Sequence, residues 1–398
     1  MGCVSSAADS KVVVSEYPQE DQNVSDVVTT TTTSDTKHEE RVTERYIRGI
    51  HLTAWVSGSE KHRKIAMDLF ENTELNTAVI DIKESEGHVY IDGIKIVDAN
   101  RAYVVAIPDI GEYIPYLKSK GIYTIARIVV FRDGTMARKN PDLAVKNPDG
   151  TIWTDRKNVA WLDPYNKDAW DYNLQIAERA ATIGFDEIQF DYIRFPTDGN
   201  TKNCRYSKPH CAAEASKTLV GFLKEANKRL KALKAKDVKI SIDVFGLTTT
   251  ATDDMGIGQK IVEMTEWVDY VSPMVYPSHY EKGNYGIAEP NKEPYKVVCY
   301  AMEGALKRIP VRKLRPWLQD FSYGGYKYDK NAVRAQMQAC YDNKVGNWLL
   351  WNPKCVYTRE ALKEQTEDNY YQESNLSTVE IEMLKTTNKK PPAVQTTK

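Results

Sequence analysis

The sequence predicts a (β/α)8 TIM barrel with extended loops on its C-terminal face. Apolar, β-branched runs recur through the middle of the chain, amphipathic stretches at helical spacing separate them, and the longest stretches with neither pattern follow strand runs. The strand runs are Arg48–Trp55, Thr77–Lys83, Ile122–Phe131, Glu187–Phe195, Lys239–Gly246, Tyr270–Tyr276, Leu314–Phe321 and Asn347–Asn352. They cover roughly 320 residues, above the ~250 usual for this fold and within its range with insertions. A doubly wound open sheet is the competing architecture, but no Gly-rich phosphate loop follows the first strand.

The clearest helix carries Leu219, Phe222, Leu223, Ala226, Leu230 and Leu233 on one face, with lysines opposite. Others are expected near His62–Phe70, Ile110–Lys120, Lys167–Ile183, Gly258–Trp267, Pro294–Arg308 and Lys330–Asn343. The extra length falls at Glu86–Ile107, Arg132–Tyr165 and Pro277–Pro290, all on the face where barrel enzymes build their sites.

Composition narrows the function classes. The 398 residues carry a net charge of −1, which gives no electrostatic case for nucleic acid or an anionic membrane. No apolar run approaches the length that spans a bilayer. Of six cysteines, only Cys204 and Cys211 are close in sequence. Their loop has room for a disulfide or, with His210, a metal, but lacks four ligands at zinc-site spacing. Free thiols fit a reducing compartment.

The flanks differ from the middle. Residues 1–41 are polar, with an unbroken threonine run from Thr29 to Thr33, and read as a tether; residues 367–398 read as a polar tail. The domain between them is expected over 42–366. Met1-Gly2-Cys3-Val4-Ser5-Ser6 matches the loose N-myristoylation pattern. A lipid anchor at Cys3 of a bacterial lipoprotein fits a tether better, and puts the protein outside the cytoplasm or at the cell envelope. No charged and apolar signal segment precedes Cys3, which leaves a cytoplasmic location as the alternative. A lipid-anchored eukaryotic signalling protein would rest on the first six residues alone.

The strand ends carry the chemistry. Gln189-Phe190-Asp191-Tyr192-Ile193-Arg194-Phe195-Pro196 puts a carboxylate and an arginine where an apolar run stops. Period-two alternation gives Gln189 and Asp191 one face, and Ser241, Asp243 and Phe245 the matching face of the next strand. A buried charge without a partner is costly, so two such aspartates on neighbouring strands point to a site rather than to loop caps. Strand two offers Asp81 and Lys83 on one face, then Glu84. Strand three turns Arg127 inward, and a buried arginine needs an anion, with Asp191 the evident one. Trp55, Tyr192, Tyr276, Trp317 and Trp351 gather at strand ends, with His279 and Gln319 in the same segments. Flat aromatic faces beside carboxylates suit the apolar faces of sugar rings.

Seven segments in order carry a resemblance: Ile80-Asp81-Ile82-Lys83, Ala126 to Phe131, Gln189 to Pro196, Asp243-Val244-Phe245-Gly246, Ser272 to Tyr280, Arg315 to Phe321 and Trp351-Asn352-Pro353. Over Arg48 to Leu362 the chain resembles a bacterial family of glycosyl hydrolase domains whose activity is itself largely inferred. The resemblance implies a (β/α)8 glycoside hydrolase without naming a sugar. It is also similar to the α-amylase and α-galactosidase superfamilies in an Asp nucleophile at the end of strand four. The amylase type has its acid as a Glu after strand five and a further Asp after strand seven. Here strand five carries Asp243, and parity turns Gln319 rather than Asp320 inward.

The expectation is therefore hydrolysis of a glycosidic bond in a polysaccharide of the cell envelope or the environment, by two carboxyl groups and with no metal or cofactor. Asp191 is expected as nucleophile or base, held by Arg127 or Arg194, Asp243 as proton donor, and Asp81 as the reserve acid. Trp55, Arg127, Tyr192, Arg194, Tyr276, His279, Trp317, Gln319 and Trp351 are expected to contact the carbohydrate. A non-catalytic carbohydrate-binding barrel is the alternative.

Overall fold

A computed structural model describes residues 45–233 and 237–364. The tether, the tail and the anchor site at Cys3 lie outside them. Eight parallel strands close in sequence order into one barrel. They are β1 (Arg48–Leu52), β2 (Thr77–Lys83), β3 (Tyr123–Val129), β4 (Glu187–Asp191), β5 (Lys239–Phe245), β6 (Tyr270–Met274), β7 (Trp317–Gln319) and β8 (Trp348–Trp351). Helices Glu60–Asn72, Ile110–Ser119, Lys167–Ile183, Ala212–Ala232, Ile261–Thr265, Pro294–Leu306 and Lys330–Asp342 fill the connections. After β8 the described residues form a short 3-10 turn at Arg359–Ala361 in place of an eighth α-helix.

Local chemistry sets these boundaries. Asn166 Oδ1 accepts from Asp168 N (2.8 Å) to cap the helix Lys167–Ile183, and Gly184 ends it in the left-handed region at φ 110°. Asp329 caps Lys330–Asp342 in the same way through Asn331 N and Ala332 N. Helix faces and outward strand residues share one large apolar core that includes Phe131, Phe190 and Phe222. A smaller core inside the barrel holds Ile47, Val79, Ile125, Trp317 and Leu349.

The lower barrel interior also buries an ion pair. Arg315 and Glu187 are fully buried and paired, with Tyr123 Oη donating to Glu187 at 3.1 Å. The pair is tolerable because Arg315 Nη1 and Nη2 both donate to the Glu187 carboxylate, although Arg315 Nε has no hydrogen-bond partner among the described residues.

Strands expected from apolar pattern alone run past the real ladder. β4 stops at Asp191 because Tyr192 takes a left-handed backbone (φ 50°), so Arg194 and Phe195 belong to the following loop. β1 stops at Leu52, and Thr53 Oγ1 accepts from Val56 N to start a short helix that carries Trp55. In β2 the register shifts between Asp81 and Lys83. This bulge separates two residues expected on one face: Asp81 turns into the barrel, while Lys83 reaches Asp133 (2.8 Å) and Asn173 on the helix Lys167–Ile183.

Candidate active site

The C-terminal ends of β2 to β5 converge on one guanidinium. Arg127 Nη1 meets Asp81 Oδ1 at 2.6 Å, Nη2 meets Asp191 Oδ2 at 2.5 Å, and Nε lies 3.7 Å from Asp243 Oδ2. The register explains the convergence. Arg127 pairs with Asp81 across β2–β3, and the β4–β5 ladder, which pairs Phe190 with Ile242, brings Asp191 and Asp243 level one residue further on. All four side chains are buried.

The three carboxylates differ in their surroundings. Burial works to raise the Asp81 pKa, but the charges of His51 and Arg127 overcome it and hold the group at about 2. His51 Nε2 sits 2.7 Å from Asp81 Oδ2; burial disfavours its charge, yet Asp81 lifts it to about 9. Asp243 behaves in the opposite way. Burial first, and then the nearby Asp191 charge, push its carboxyl well above the usual carboxylate range. Trp317 Nε1 donates to Asp243 Oδ1 at 2.7 Å and works against that rise.

Asp191 is fixed from two sides. Oδ2 accepts from Arg127, and Oδ1 accepts from Tyr192 N at 2.6 Å. The left-handed turn at Tyr192 makes the second bond possible, and a non-glycine residue held there is a strained backbone beside a functional group.

Above this floor opens a cavity of about 990 Å³. Asp191, Asp243 and Arg127 line it, as do Tyr192, Arg194, Tyr276, His279, Trp317 and Trp351. Trp351 covers the cluster: its ring lies 4.9 Å from the Arg127 guanidinium carbon and stacks on His51 at 3.9 Å between centroids.

Three expected residues stand apart from the cavity wall. Asp81 lies behind Arg127 in two ion pairs, and its low pKa disagrees with a reserve proton donor. Trp55 is 58% exposed and meets Tyr90 edge-on. Gln319 ties loops together, accepting from Ser278 N (3.1 Å) and donating to Phe321 O (2.8 Å). Asp191 is held by Arg127 and not by Arg194, whose Nη1 donates to Phe195 O and Thr197 Oγ1.

Sequence reasoning missed His51 and the loop residues Phe321 and Tyr323, and it put Phe245, the last residue of β5, on the Asp243 face without naming it as a site residue. Period-two alternation along β1 gives Gly49 and His51 one face, and this is the signal that could have found the histidine. Cys204 and Cys211 are free thiols, and His210 instead contacts Tyr165 Oη at 3.0 Å.

The fold and its site define a (β/α)8 barrel protein with a carboxylate floor beneath an aromatic cavity. The chain belongs to the family described as "putative glycosyl hydrolase domain", whose model matches residues 49–357. Among solved structures, the PgaB (BpsB) glycoside hydrolase domain from Bordetella bronchiseptica shares the fold at TM-score 0.60 and 14% identity, over 81% of this chain and 99% of that one. Alpha-L-fucosidase isoenzyme 2 from Paenibacillus thiaminolyticus matches at TM-score 0.52 and 13% identity, over 80% of this chain and 48% of that one. A hypothetical protein from Ruminiclostridium thermocellum ATCC 27405 is 36% identical, at TM-score 0.44, over 49% of this chain and 97% of that one. No curated protein matched the sequence.

Proposed function

We propose that this protein hydrolyses glycosidic bonds of a polysaccharide by a two-carboxylate, retaining mechanism. The observation that carries the reading is the contrast at the cavity floor: Asp191 is ion-paired with Arg127, while Asp243, level with it on the next strand, favours its protonated form.

Each residue then has a step. Asp243 donates its proton to the glycosidic oxygen as the bond to the anomeric carbon breaks. Asp191 attacks that carbon and forms a glycosyl ester. Asp243, now ionised, takes a proton from a water whose oxygen bonds to the anomeric carbon; the ester bond to Asp191 breaks, the sugar leaves, and both groups are restored. Both Asp191 oxygens are already hydrogen-bonded, but each keeps a further lone pair for attack. Neighbouring strands lie about 4.8 Å apart, close to the ~5–5.5 Å carboxyl spacing of retaining enzymes. Trp351, Trp317, Tyr276 and Tyr192 supply flat faces for sugar rings. The polar segment 1–41, read from sequence as a tether, supports a target in the cell envelope or the surroundings.

A hydrolysis screen over a glycan panel, with wild type beside Asp191→Asn, tests the proposal. Wild type is expected to release reducing ends from at least one glycan and the variant from none. Equal activity of the two on an identified glycan, or binding without turnover by wild type, would refute it; the second result fits a carbohydrate-binding barrel.

A further inference from the structure

Part of the charge that lines the cavity has no role in that mechanism. Among the described residues its acidic lining groups are Asp191 and Asp243, both at the floor. Its cations are Arg127, Lys157, Arg194 and Lys354. Carboxylates occupy Arg127. The other three have no ion-pair partner among the described residues.

Arg194 is the informative one, because it is only 7% exposed. Its Nη1 donates to Phe195 O at 3.0 Å and Thr197 Oγ1 at 3.2 Å, while Nε and Nη2 have no hydrogen-bond partner among the described residues. Three rings enclose the guanidinium: Phe245 at 4.7 Å, and Trp161 and Tyr192 at 4.9 Å. Cation–π contacts with these faces offset part of the lost hydration, but they cannot accept the in-plane N–H groups. The other guanidinium nearby, Arg132, is committed to Asp155 at 2.7 Å. A buried cation held flat at a cavity wall, with free donors and no carboxylate within ion-pair distance, only the more distant charges of Asp191 and Asp198, is a half-built ion pair.

We infer that the glycan taken by this cavity is acidic, and that Arg194, helped by Lys157 and Lys354 on the exposed rim, receives its anionic oxygen group, a carboxylate or a sulfate ester. The inference rests on the carbohydrate reading of the cavity and names the class of substrate. A planar guanidinium presents paired donors that match such a group, and the rings fix its plane beforehand. The two lysines, on flexible stems, add attraction along a chain of repeated negative charges.

The test is binding, measured apart from turnover. The full chain carrying Asp191→Asn is titrated by calorimetry with oligogalacturonate, hyaluronan oligosaccharide and chondroitin sulfate oligosaccharide. Carboxyl-reduced or desulfated forms of each serve as controls. At least one acidic form is expected to bind about tenfold or more tightly than its neutral form, with an advantage that shrinks at high salt. Arg194→Gln should remove the advantage and Arg194→Lys should retain part of it, both checked for folding by circular dichroism. Should Arg194→Gln fail to fold, the exposed double variant Lys157→Gln/Lys354→Gln serves instead, and should weaken the salt dependence. Equal or tighter binding of the neutral forms, no binding of any acidic form, or an advantage that survives Arg194→Gln would overturn the inference. A wild type that binds acidic glycans but cleaves none would sink the hydrolase reading and leave this one standing. Cleavage confined to neutral glycans would do the reverse.

Discussion

Replacing Arg127 by glutamine tests how the floor of the site is held together. The substitution keeps some hydrogen-bonding capacity and removes the positive charge shared by Asp81, Asp191 and Asp243. Arg127 and its partners are all under 10% exposed, so solvent screening does little to soften the loss. Breaking a buried pair by removing one partner costs about 3–5 kcal/mol. An unfolding entropy of ~2.1 cal/mol/K per residue over about 320 ordered residues converts this to a Tm lower by about 4–7 °C. The pH dependence has a definite sign. The Asp81 carboxyl is depressed to about 2 in the folded protein, so its pairing adds stability above the unfolded value of 3.8 and loses it as pH falls through 2. Arg127 supplies part of that depression, so the gap between wild type and variant should be widest from about pH 5 upward and narrow toward pH 2. Differential scanning calorimetry from pH 7 down to pH 2.5 reads both effects. A Tm within about 1 °C of wild type at pH 7, or a gap that widens on acidification, would refute the shared-charge account.

Three further outcomes follow from the same geometry. Asp243→Asn should lower kcat by about 10²- to 10⁴-fold on the glycan identified by the screen, with circular dichroism unchanged. Trp317→Phe removes a hydrogen bond that favours ionised Asp243, so the alkaline limb of the pH–kcat/KM profile should move to higher pH; a shift to lower pH would count against Asp243 as the acid. His51→Gln should destabilise the protein most below pH 6.5 and progressively less as pH rises through about 9, because the raised folded pKa of His51 adds stability only while the ring is protonated. Chemical denaturation at pH 6 and pH 9.5 measures the difference.

The architecture was legible because its signals are local. Each strand run is a short burst of β-branched and apolar residues, and the helix Lys167–Ile183 is marked at both ends by Asn166 and Gly184. Strand ends were less legible, because the apolar pattern continues through Ile193 and Phe195 after the ladder stops; only the backbone at Tyr192 breaks it. Alternation correctly put Asp191, Asp243 and Arg127 on inward positions. It misjudged Lys83, because a bulge adds a residue without leaving a mark in the composition. The His51–Asp81 pair, thirty positions apart, depends on the β1–β2 register, which no local pattern encodes. The same holds for Phe321 and Tyr323, brought to the cavity by a loop.

The shared guanidinium also guards the folding of the barrel. Its partners come from β2, β4 and β5, and Trp351 covers it from β8. A slip of β3 by one residue would exchange inward for outward side chains. Arg127 would then enter the apolar layer beneath the helices, while Asp81 and Asp191 stayed behind as like charges with no arginine between them. Mispaired barrels that a purely apolar interior would tolerate are thereby penalised, and the strands reach full closure in one register.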